Sequence, residues 1–597
     1  MNVPERLAAL RSLMRQKGID AYMVPTDDYH SSEYVGEFFK CRKYLTGFTG
    51  SAGTAVVTAD FAGLWTDGRY FIQAADQLAG SGFTLMRMGQ EGVPTIEEYL
   101  EEHLNEGQTL GFDGRTVTAA KGAQLAEMLG KKQVRIDSSL DLVGEIWEER
   151  PALSCEKVWE LNTVYAGKSR MDKLREMRRA MAQCKATYLL LTSLEDIAWL
   201  LNIRGNDVEC TPVVLSYLVL TQSKVRLFAQ REAFDEDLLS GLEKDGVELL
   251  PYDGIYEFVT RLPKRHSLWM DPAKANYTLR KAVPEEVEVI CRTSPTILAK
   301  ACKNSIEVAN MKKAHIRDGV AVTRFICWLK KAVREETVTE LSAIEKLEQL
   351  RQEGKNYLGP SFHYIIAYGE HAAICHYSPS EESNVTIQPR GLALADTGGH
   401  YLEGTTDITR TIAVGELTQE EKEYFTRVLR GNLNLAAAKF LYGCTGQNLD
   451  PIARQPLWEI GEDYNHGTGH GVGYLLGVHE GPNSIRWRSN PDGSASAVFE
   501  EGMITSDEPG YYREGAFGIR HENMMVCHKA EKTDAGQFME FETLTLVPFD
   551  LEGVLPEMMT ERERALLNAY HEKVYEKIAP HLNEEERAWL KEATRAI

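Results

Sequence analysis

One pattern occurs twice in the first half of the sequence, and this repetition restricts the fold more than any other feature. The first copy runs AYMVPT, YLTGFTG, AVVT and GLWTDGRYF, and the second runs TYLLLT, WLLNIRG, YLVLT and KVRLFAQ. Each copy predicts an apolar strand, a helical segment, a glycine-containing turn and two strands of a meander. We therefore predict two related α/β domains, over residues 1–150 and 151–300.

The pattern changes at Asn304, which resembles a helix N-cap because Glu307 follows it three residues later. Apolar residues then recur near helical spacing, at Ile306, Met311, Val322, Phe325, Ile326 and Leu329. From residue 362 to 547 the sequence predicts strands joined by glycine-rich turns, with helices between them. We predict a third domain over residues 301–535 and a C-terminal helical extension over residues 536–597.

The charge and the cysteines of the chain exclude several classes of function. With 88 acidic and 67 basic residues the net charge is −21, which disfavours both nucleic acid and an anionic membrane as partners. The ten cysteines form no CxxC pair, a distribution typical of reduced, intracellular thiols. Because no segment reads as a signal peptide or a membrane span, we expect a cytoplasmic protein.

Four carboxylates and one histidine of the third domain stand in strand-like or glycine-rich segments: Asp396, Asp407, His470, Glu508 and Glu522. An antiparallel hairpin around the GTT turn would bring the first two together. Buried carboxylates must be paired, protonated or bound to metal, and two divalent cations would neutralise this set. Oxygen-rich ligands with a single imidazole favour Mn²⁺ over a zinc-type site. A water bridging two ions about 3.5–4 Å apart would become a hydroxide nucleophile at neutral pH.

The order of these five residues resembles the ligand set of the pita-bread metallopeptidases, family M24. The segments HYSP, NHGTGHGVG, VHEGP, DEPGYY and TDGRYF are similar to the long, three-domain form of aminopeptidase P. The resemblance implies an α/β and α+β multidomain architecture, with two creatinase-N-like α/β domains followed by a pita-bread catalytic domain. It also implies metal-dependent removal of the first residue from peptides with proline in second position, and a homodimer.

The resemblance assigns a role to each of the five ligand positions. Asp396 would bind one metal ion with both oxygens, while Asp407 and Glu522 would bridge the two ions. His470 and Glu508 would complete the ligand shell of the other ion. Glu508 would in addition act as the general base that takes the proton of the bridging water.

Three further histidines are expected to line the substrate cleft. By resemblance, His376 and His479 would hold the peptide carbonyls and the tetrahedral intermediate, and His466 would bound the proline side. Each could instead be a histidine buried for packing alone. An X–Pro bond has no N–H, so a rigid ring pocket would replace the hydrogen bond that other peptides offer.

Two residues beside metal ligands, Tyr512 and Arg520, are expected to shape the proline pocket. Arg69, in the first domain, would hold the downstream part of a peptide, or else form a salt bridge inside its own domain. His521 departs from the family, in which an apolar residue is commoner between the arginine and the last ligand. Its imidazole would either alter the pH dependence of the site or point into solvent.

Three other functions are compatible with this fold. A prolidase would cleave only Xaa-Pro dipeptides on the same metal site, but the two N-terminal domains favour longer substrates. A catalytically inactive relative would bind histones, RNA or other partners, yet such proteins lose metal ligands and all five are present here. A creatinase-type hydrolase works without metal and would not need the five-residue set.

Overall fold

The computed structural model describes residues 1–489 and 496–597. It contains two compact units, one formed by residues 1–161 and 168–296, the other by residues 162–167 and 297–597. Both halves of the duplicated pattern lie in the first unit. The domain boundaries drawn from the sequence stay predictions. No helix of the described residues is long and apolar enough to cross a membrane.

The first unit contains two six-stranded sheets. The strands of its first half are β1 Ala21–Pro25, β2 Thr54–Thr58, β3 Ala62–Thr66, β4 Thr84–Arg87, β5 Thr109–Gly111 and β6 Arg135–Asp137. Those that follow are β7 Trp159–Glu160, β8 Tyr188–Leu191, β9 Ile203–Arg204, β10 Ser216–Leu220, β11 Val225–Ala229, β12 Val247–Leu250, β13 Ser267–Met270 and β14 Glu288–Cys291. The spatial orders are β4-β3-β2-β1-β5-β6 and β12-β11-β10-β8-β13-β14, so the predicted duplication is confirmed.

Helices alternate with the strands along this part of the chain. Those up to the end of the first half are α1 Val3–Lys17, α2 Cys41–Thr46, α3 Phe71–Gln77, α4 Ile96–His103, α5 Ala119–Gly130 and α6 Leu142–Ile146. Helix α7 Thr163–Ala166 belongs to the second unit. Next come α8 Arg170–Gln183, α9 Leu194–Leu201, α10 Glu236–Lys244, α11 Gly254–Thr260, α12 Tyr277–Ala282 and α13 Pro295–Ala301, most of which lies in the second unit. Alternate residues of β1 enter two separate apolar cores, Tyr22 and Val24 on one face and Ala21 and Met23 on the other. Burial on both faces explains why this strand is apolar throughout.

The second unit contains long helices and several small antiparallel sheets. Besides α7 and the end of α13, its helices are α14 Ser305–Glu335, α15 Glu340–Gln352, α16 Gln419–Ala436, α17 Gly446–Trp458, α18 Glu561–Ile578 and α19 Glu584–Ala593. Its strands are β15 Tyr357–Pro360, β16 Ile365–Tyr368, β17 Leu392–Thr397, β18 Gly399–Tyr401, β19 Gly404–Thr405, β20 Ile408–Ala413 and β21 Lys439–Leu441. They continue with β22 Gly469–Gly471, β23 Glu480–Ile485, β24 Ile504–Asp507, β25 Gly510–Arg513, β26 Phe517–Arg520, β27 Asn523–Thr533 and β28 Gly536–Thr543.

Two of these sheets carry the residues of interest. One has the order β16-β17-β20, and the other has the order β21-β28-β27-β24-β22-β23. Helices α14 and α15 pack on the first of them through a core that includes Phe325, Leu347, Ile366, Ala395 and Ile412. Of the apolar residues predicted for this helix, Val322, Phe325, Ile326 and Leu329 lie in this core and cover the sheet that holds Asp396. Ile306 does not, because its side chain is 45% exposed.

Helix α14 begins where the sequence predicts. The Asn304 side chain accepts hydrogen bonds from the backbone N–H groups of Ile306 at 3.0 Å and Glu307 at 3.1 Å. In return, Glu307 accepts a hydrogen bond from the Asn304 N–H at 2.9 Å, which completes a capping box. The Asn304 amide also donates to the Ala166 carbonyl at 2.9 Å, so one side chain caps α14 and holds α7 against it.

We predict that Asn304→Ala destabilises the start of α14 by about 1 kcal/mol, the usual value of a lost N-cap. Hydrogen exchange of the Ile306 and Glu307 amides should then be several-fold faster than in the parent chain. Asn304→Ser is the matched control because serine caps nearly as well as asparagine. Equal exchange in the alanine and serine variants would contradict the capping role.

Candidate metal centre

The first pair of candidate ligands lies on one antiparallel hairpin. Strands β17 and β20 pair so that Asp396 stands opposite Thr409, and Asp407 comes directly before β20. The antiparallel pairing predicted from the sequence is confirmed, but the predicted GTT turn is wrong, because Gly404 and Thr405 form strand β19, which pairs with β18. Asp396 is 9% exposed and Asp407 5% exposed, so both carboxylates are removed from bulk water.

The other three candidates come from the larger sheet. His470 lies in β22, Glu508 directly follows β24, and Glu522 directly precedes β27. His470 Nε2 is 3.5 Å from Asp407 Oδ2 and 3.4 Å from Glu508 Oε1. One potential ligand atom from each of Asp407, His470 and Glu522 lies within 4.8 Å of the other two. The two sheets therefore bring together the five residues selected from the sequence.

The His470 imidazole is oriented as a metal ligand. Its Nδ1 is 3.0 Å from the Gly471 carbonyl oxygen, which can only accept a hydrogen bond. Nδ1 must therefore carry the proton, and Nε2 presents its lone pair toward Asp407 and Glu508. A backbone carbonyl that holds the far nitrogen is a common arrangement around metal-binding histidines.

Burial and mutual repulsion determine the protonation of the carboxylates in the metal-free chain. Burial raises the pKa values of Asp407 and Glu522 well above their usual range, and the neighbouring carboxylates raise them further. Burial also raises the pKa of Glu508 to about 7, against the opposing effect of Arg520. Asp396 Oδ1 and Glu522 Oε1 are buried without a hydrogen-bond partner among the described residues. Such a donor set fits divalent cations, which would keep these groups ionised.

A directional chain of hydrogen bonds borders the centre. Arg520 donates from Nη2 to Asp396 Oδ2 at 2.5 Å and from Nη1 to the Tyr512 hydroxyl at 2.7 Å. The Tyr512 hydroxyl lies 2.8 Å from His466 Nε2, and His466 Nδ1 lies 2.8 Å from the Gly467 carbonyl. Burial, and then the Arg520 charge, hold the pKa of His466 well below its usual range. His466 is therefore neutral, and its Nε2 accepts a hydrogen bond from the Tyr512 hydroxyl.

Two of the remaining predicted residues, His479 and His376, lie near histidines of the centre, whereas Arg69 lies in the first unit. The His479 ring meets the His470 ring edge to face, with centroids 4.3 Å apart. His376 is half-buried and close enough to His466 to lower the pKa of that residue. Arg69 lies in the first unit, where Nε and Nη2 each donate to an Asp67 oxygen at 2.8 Å. This is the salt bridge named as the alternative role of Arg69, and its contact with substrate stays a prediction.

The structure excludes one of the two expectations for His521. Its ring is fully buried between aromatic rings, with centroids 4.3 Å from Phe425 and 5.5 Å from Phe549. A side chain in this position does not point into solvent. Burial lowers the pKa of His521 to about 3, so the imidazole is neutral over the physiological range.

A layer of residues behind the candidate ligands was not predicted from the sequence. The Thr409 hydroxyl donates a hydrogen bond to Glu522 Oε2 at 2.8 Å. The Ser506 hydroxyl donates to Glu508 Oε1 at 3.2 Å. A signal for both existed, because each hydroxyl is two positions from a candidate ligand and side chains at that spacing share a strand face. Burial raises the pKa of the Cys375 thiol, and Arg520 and Tyr512 act in the opposite direction, so this thiol also borders the site.

Relatives that match the chain over its full length show the family to which it belongs. Aminopeptidase P1 of Arabidopsis thaliana is 36% identical over 99% of each chain. Xaa-Pro aminopeptidase 1 of Dictyostelium discoideum is 36% identical over 100% of this chain and 97% of its own. The chain belongs to the Xaa-Pro aminopeptidase family.

Other comparisons agree with this membership. The crystal structure of X-prolyl aminopeptidase from Caenorhabditis elegans, described as a cytosolic enzyme with a di-nuclear active site, matches with a TM-score of 0.95. It is 35% identical to this aminopeptidase over 100% of both chains. Models of the creatinase/prolidase N-terminal domain match residues 6–143 and 149–307. Metallopeptidase family M24 matches residues 309–529, and the C-terminal region of that family matches residues 537–597.

We predict that the metal-free aminopeptidase releases roughly one to two protons when it binds Mn²⁺ at pH 7, because the raised pKa values leave its buried carboxyls partly protonated. Calorimetry in buffers of different ionisation enthalpy measures this number. The number of released protons should fall above pH 7, because Glu508 is then already ionised before the metal binds. Binding heats that do not depend on the buffer would show that these carboxyls are not the metal ligands.

Proposed function

We propose that this aminopeptidase removes the first residue of oligopeptides with proline in second position, using two divalent cations at the centre described above. Asp396 would bind one ion through both oxygens, Asp407 and Glu522 would bridge the pair, and His470 and Glu508 would complete the other shell. The observation that carries the proposal is a buried set of carboxylates with unpartnered oxygens, facing an imidazole whose Nε2 lone pair points at them. Such a set is stable only when it is protonated or bound to cations.

The protein residues contribute proton transfer and charge stabilisation to the hydrolysis. When bound, two divalent cations lower the pKa of a water shared between them and polarise the scissile carbonyl. Glu508, which bound cations would keep ionised, takes the proton of the attacking water as general base. His376 and His479 donate hydrogen bonds to the peptide carbonyls as negative charge develops on oxygen. Glu508 then returns its proton to the leaving proline nitrogen.

The selectivity for proline is attributed to a rigid pocket wall. Arg520, Tyr512 and His466 form a continuous hydrogen-bonded row, so each side chain is held by its neighbours. A preorganised wall of this kind accepts the proline ring without requiring the N–H that the X–Pro bond lacks.

Mn²⁺ is the proposed metal. Four of the five candidate ligands are carboxylates and one is an imidazole, a hard set that suits Mn²⁺ better than Zn²⁺. Arg69 is proposed to hold the downstream part of longer peptides, with the Asp67 pair as its state in the absence of substrate.

We also propose a cytoplasmic homodimer. The C. elegans relative is described as cytosolic, which supports that location. An exposed apolar patch at Trp458, Ile460 and Trp487, each about two-fifths exposed, supports a partner surface. The two tryptophan rings meet edge to face, with centroids 6.3 Å apart.

The proposed function predicts that chelator-stripped protein regains cleavage of Arg-Pro-Pro when Mn²⁺ is added. Asp407→Asn should lower this activity at least 1000-fold, because it removes a bridging charge at the centre. Asp534→Asn makes the same chemical change in an exposed turn and should leave the activity unchanged. Release of free arginine, followed by chromatography, is the measurement.

Each other outcome identifies a different alternative. Cleavage of Gly-Pro without cleavage of Arg-Pro-Pro would indicate a prolidase. Two bound ions without cleavage of either peptide would indicate another substrate. A folded chain that binds no metal would contradict the proposed function and revive the inactive-relative and creatinase-type interpretations.

The proline pocket is tested by Tyr512→Phe, which removes the hydroxyl between Arg520 and His466. We expect kcat/KM for Arg-Pro-Pro to fall about 10-fold, the value of one or two lost hydrogen bonds, while metal content stays the same. Tyr511→Phe is the matched control, since Tyr511 packs away from the centre against Tyr424 with ring centroids 3.7 Å apart. Equal kcat/KM in the two variants would show that Tyr512 does not form part of the proline pocket.

A further inference from the structure

An ion pair without any solvent contact lies between helices α14 and α15. Arg351 donates from Nε to Asp318 Oδ1 at 2.7 Å and from Nη2 to Asp318 Oδ2 at 3.0 Å. Both side chains are 0% exposed. Removing two charges from water costs several kcal/mol each, so such a pair is weak evidence of a contribution to stability. The other hydrogen bonds of this ion pair show which parts of the structure it connects.

Each member of the pair also contacts a threonine beside a proposed metal ligand. Arg351 Nη2 donates to the Thr397 hydroxyl at 3.1 Å, and Thr397 directly follows Asp396. The Thr406 hydroxyl donates to Asp318 Oδ2 at 2.6 Å, and Thr406 directly precedes Asp407. The ion pair therefore joins the two ends of the hairpin that carry the first two carboxylates.

The two threonine segments are also in direct contact with each other. The Gly399 N–H donates to the Thr406 hydroxyl at 2.9 Å, and the Thr406 N–H donates to the Gly399 carbonyl at 2.9 Å. A Cβ at Gly398 would lie 2.1 Å from the Thr406 carbonyl oxygen, so only glycine permits this approach. Tyr401 adds a third bond to the pair, donating to Asp318 Oδ1 at 3.0 Å.

We propose that the Asp318–Arg351 pair is a positioning device that sets the separation of Asp396 and Asp407 through Thr397 and Thr406. This inference rests on the proposed function, because it takes those two carboxylates as metal ligands. All four side chains are buried, at 1% exposure or less, so they would act through the ligands rather than directly on substrate. They hold the backbone on either side of the ligands so that both carboxylates meet the cations without rearrangement.

Thr406→Val tests the link on the Asp407 side, since valine keeps the shape and loses the hydroxyl. We expect the affinity of the metal-free chain for Mn²⁺, measured by calorimetry, to fall roughly 10–100-fold, the usual effect of losing a residue behind a ligand. Thr406→Ser restores the hydroxyl and should bind within about threefold of the parent chain. Thr397→Val tests the Asp396 side and should weaken binding in the same direction.

Thr323→Val is the matched control. Thr323 is buried in α14, and its hydroxyl has no hydrogen-bond partner among residues 1–489 and 496–597. The same change of chemistry should therefore leave Mn²⁺ affinity unchanged. The melting temperature of each metal-free variant is recorded as well, because a purely structural role would lower that temperature without weakening metal binding.

The outcomes separate this inference from the proposed function. Weaker binding in Thr406→Val and Thr397→Val, with recovery in Thr406→Ser, would support the positioning role. A parent chain that binds two Mn²⁺ ions while both valine variants bind them as tightly would overturn this inference alone. A parent chain that binds no Mn²⁺ would overturn the proposed function and this inference with it.

Discussion

The catalytic unit depends on one unfavourable arrangement, the burial of several carboxylates within a few ångströms of one another. Asp407 and Glu522 are almost fully buried, and their pKa values rise well above the usual range when no cation is present. In that state the carboxyls hold protons, whereas divalent cations would keep them ionised. The same cations would supply the chemistry of peptide hydrolysis, so in this account the stability of the site and its activity have a common origin.

The surrounding structure is organised to keep these charges close together. Two separate sheets contribute the proposed ligands, so no single element could hold the set alone. Arg520 compensates Asp396 on one side and continues through Tyr512 to the proposed proline wall. On the other side, helices α14 and α15 contribute the Asp318–Arg351 pair. In the proposed function, charge compensation and substrate selectivity would therefore be properties of one connected network rather than of separate residues.

Features that depend on local pattern were predictable from the sequence, and those that depend on distant contacts were not. The duplicated sheets, the Asn304 cap and the β17–β20 hairpin follow from periodicity and capping chemistry. The Asp318–Arg351 contact joins residues 33 positions apart on two helices, and no local pattern marks it. The burial of His521 likewise depends on Phe425 and Phe549, which the chain brings from either side.

Crystals of the Mn²⁺-loaded protein test most directly whether two cations bind between these carboxylates. An anomalous difference map collected at the manganese edge should show two peaks about 3.5–4 Å apart, both within ligand distance of Asp407 and Glu522. One peak should adjoin Asp396 and the other His470 and Glu508. A single peak, or peaks that avoid these carboxylates, would contradict the account.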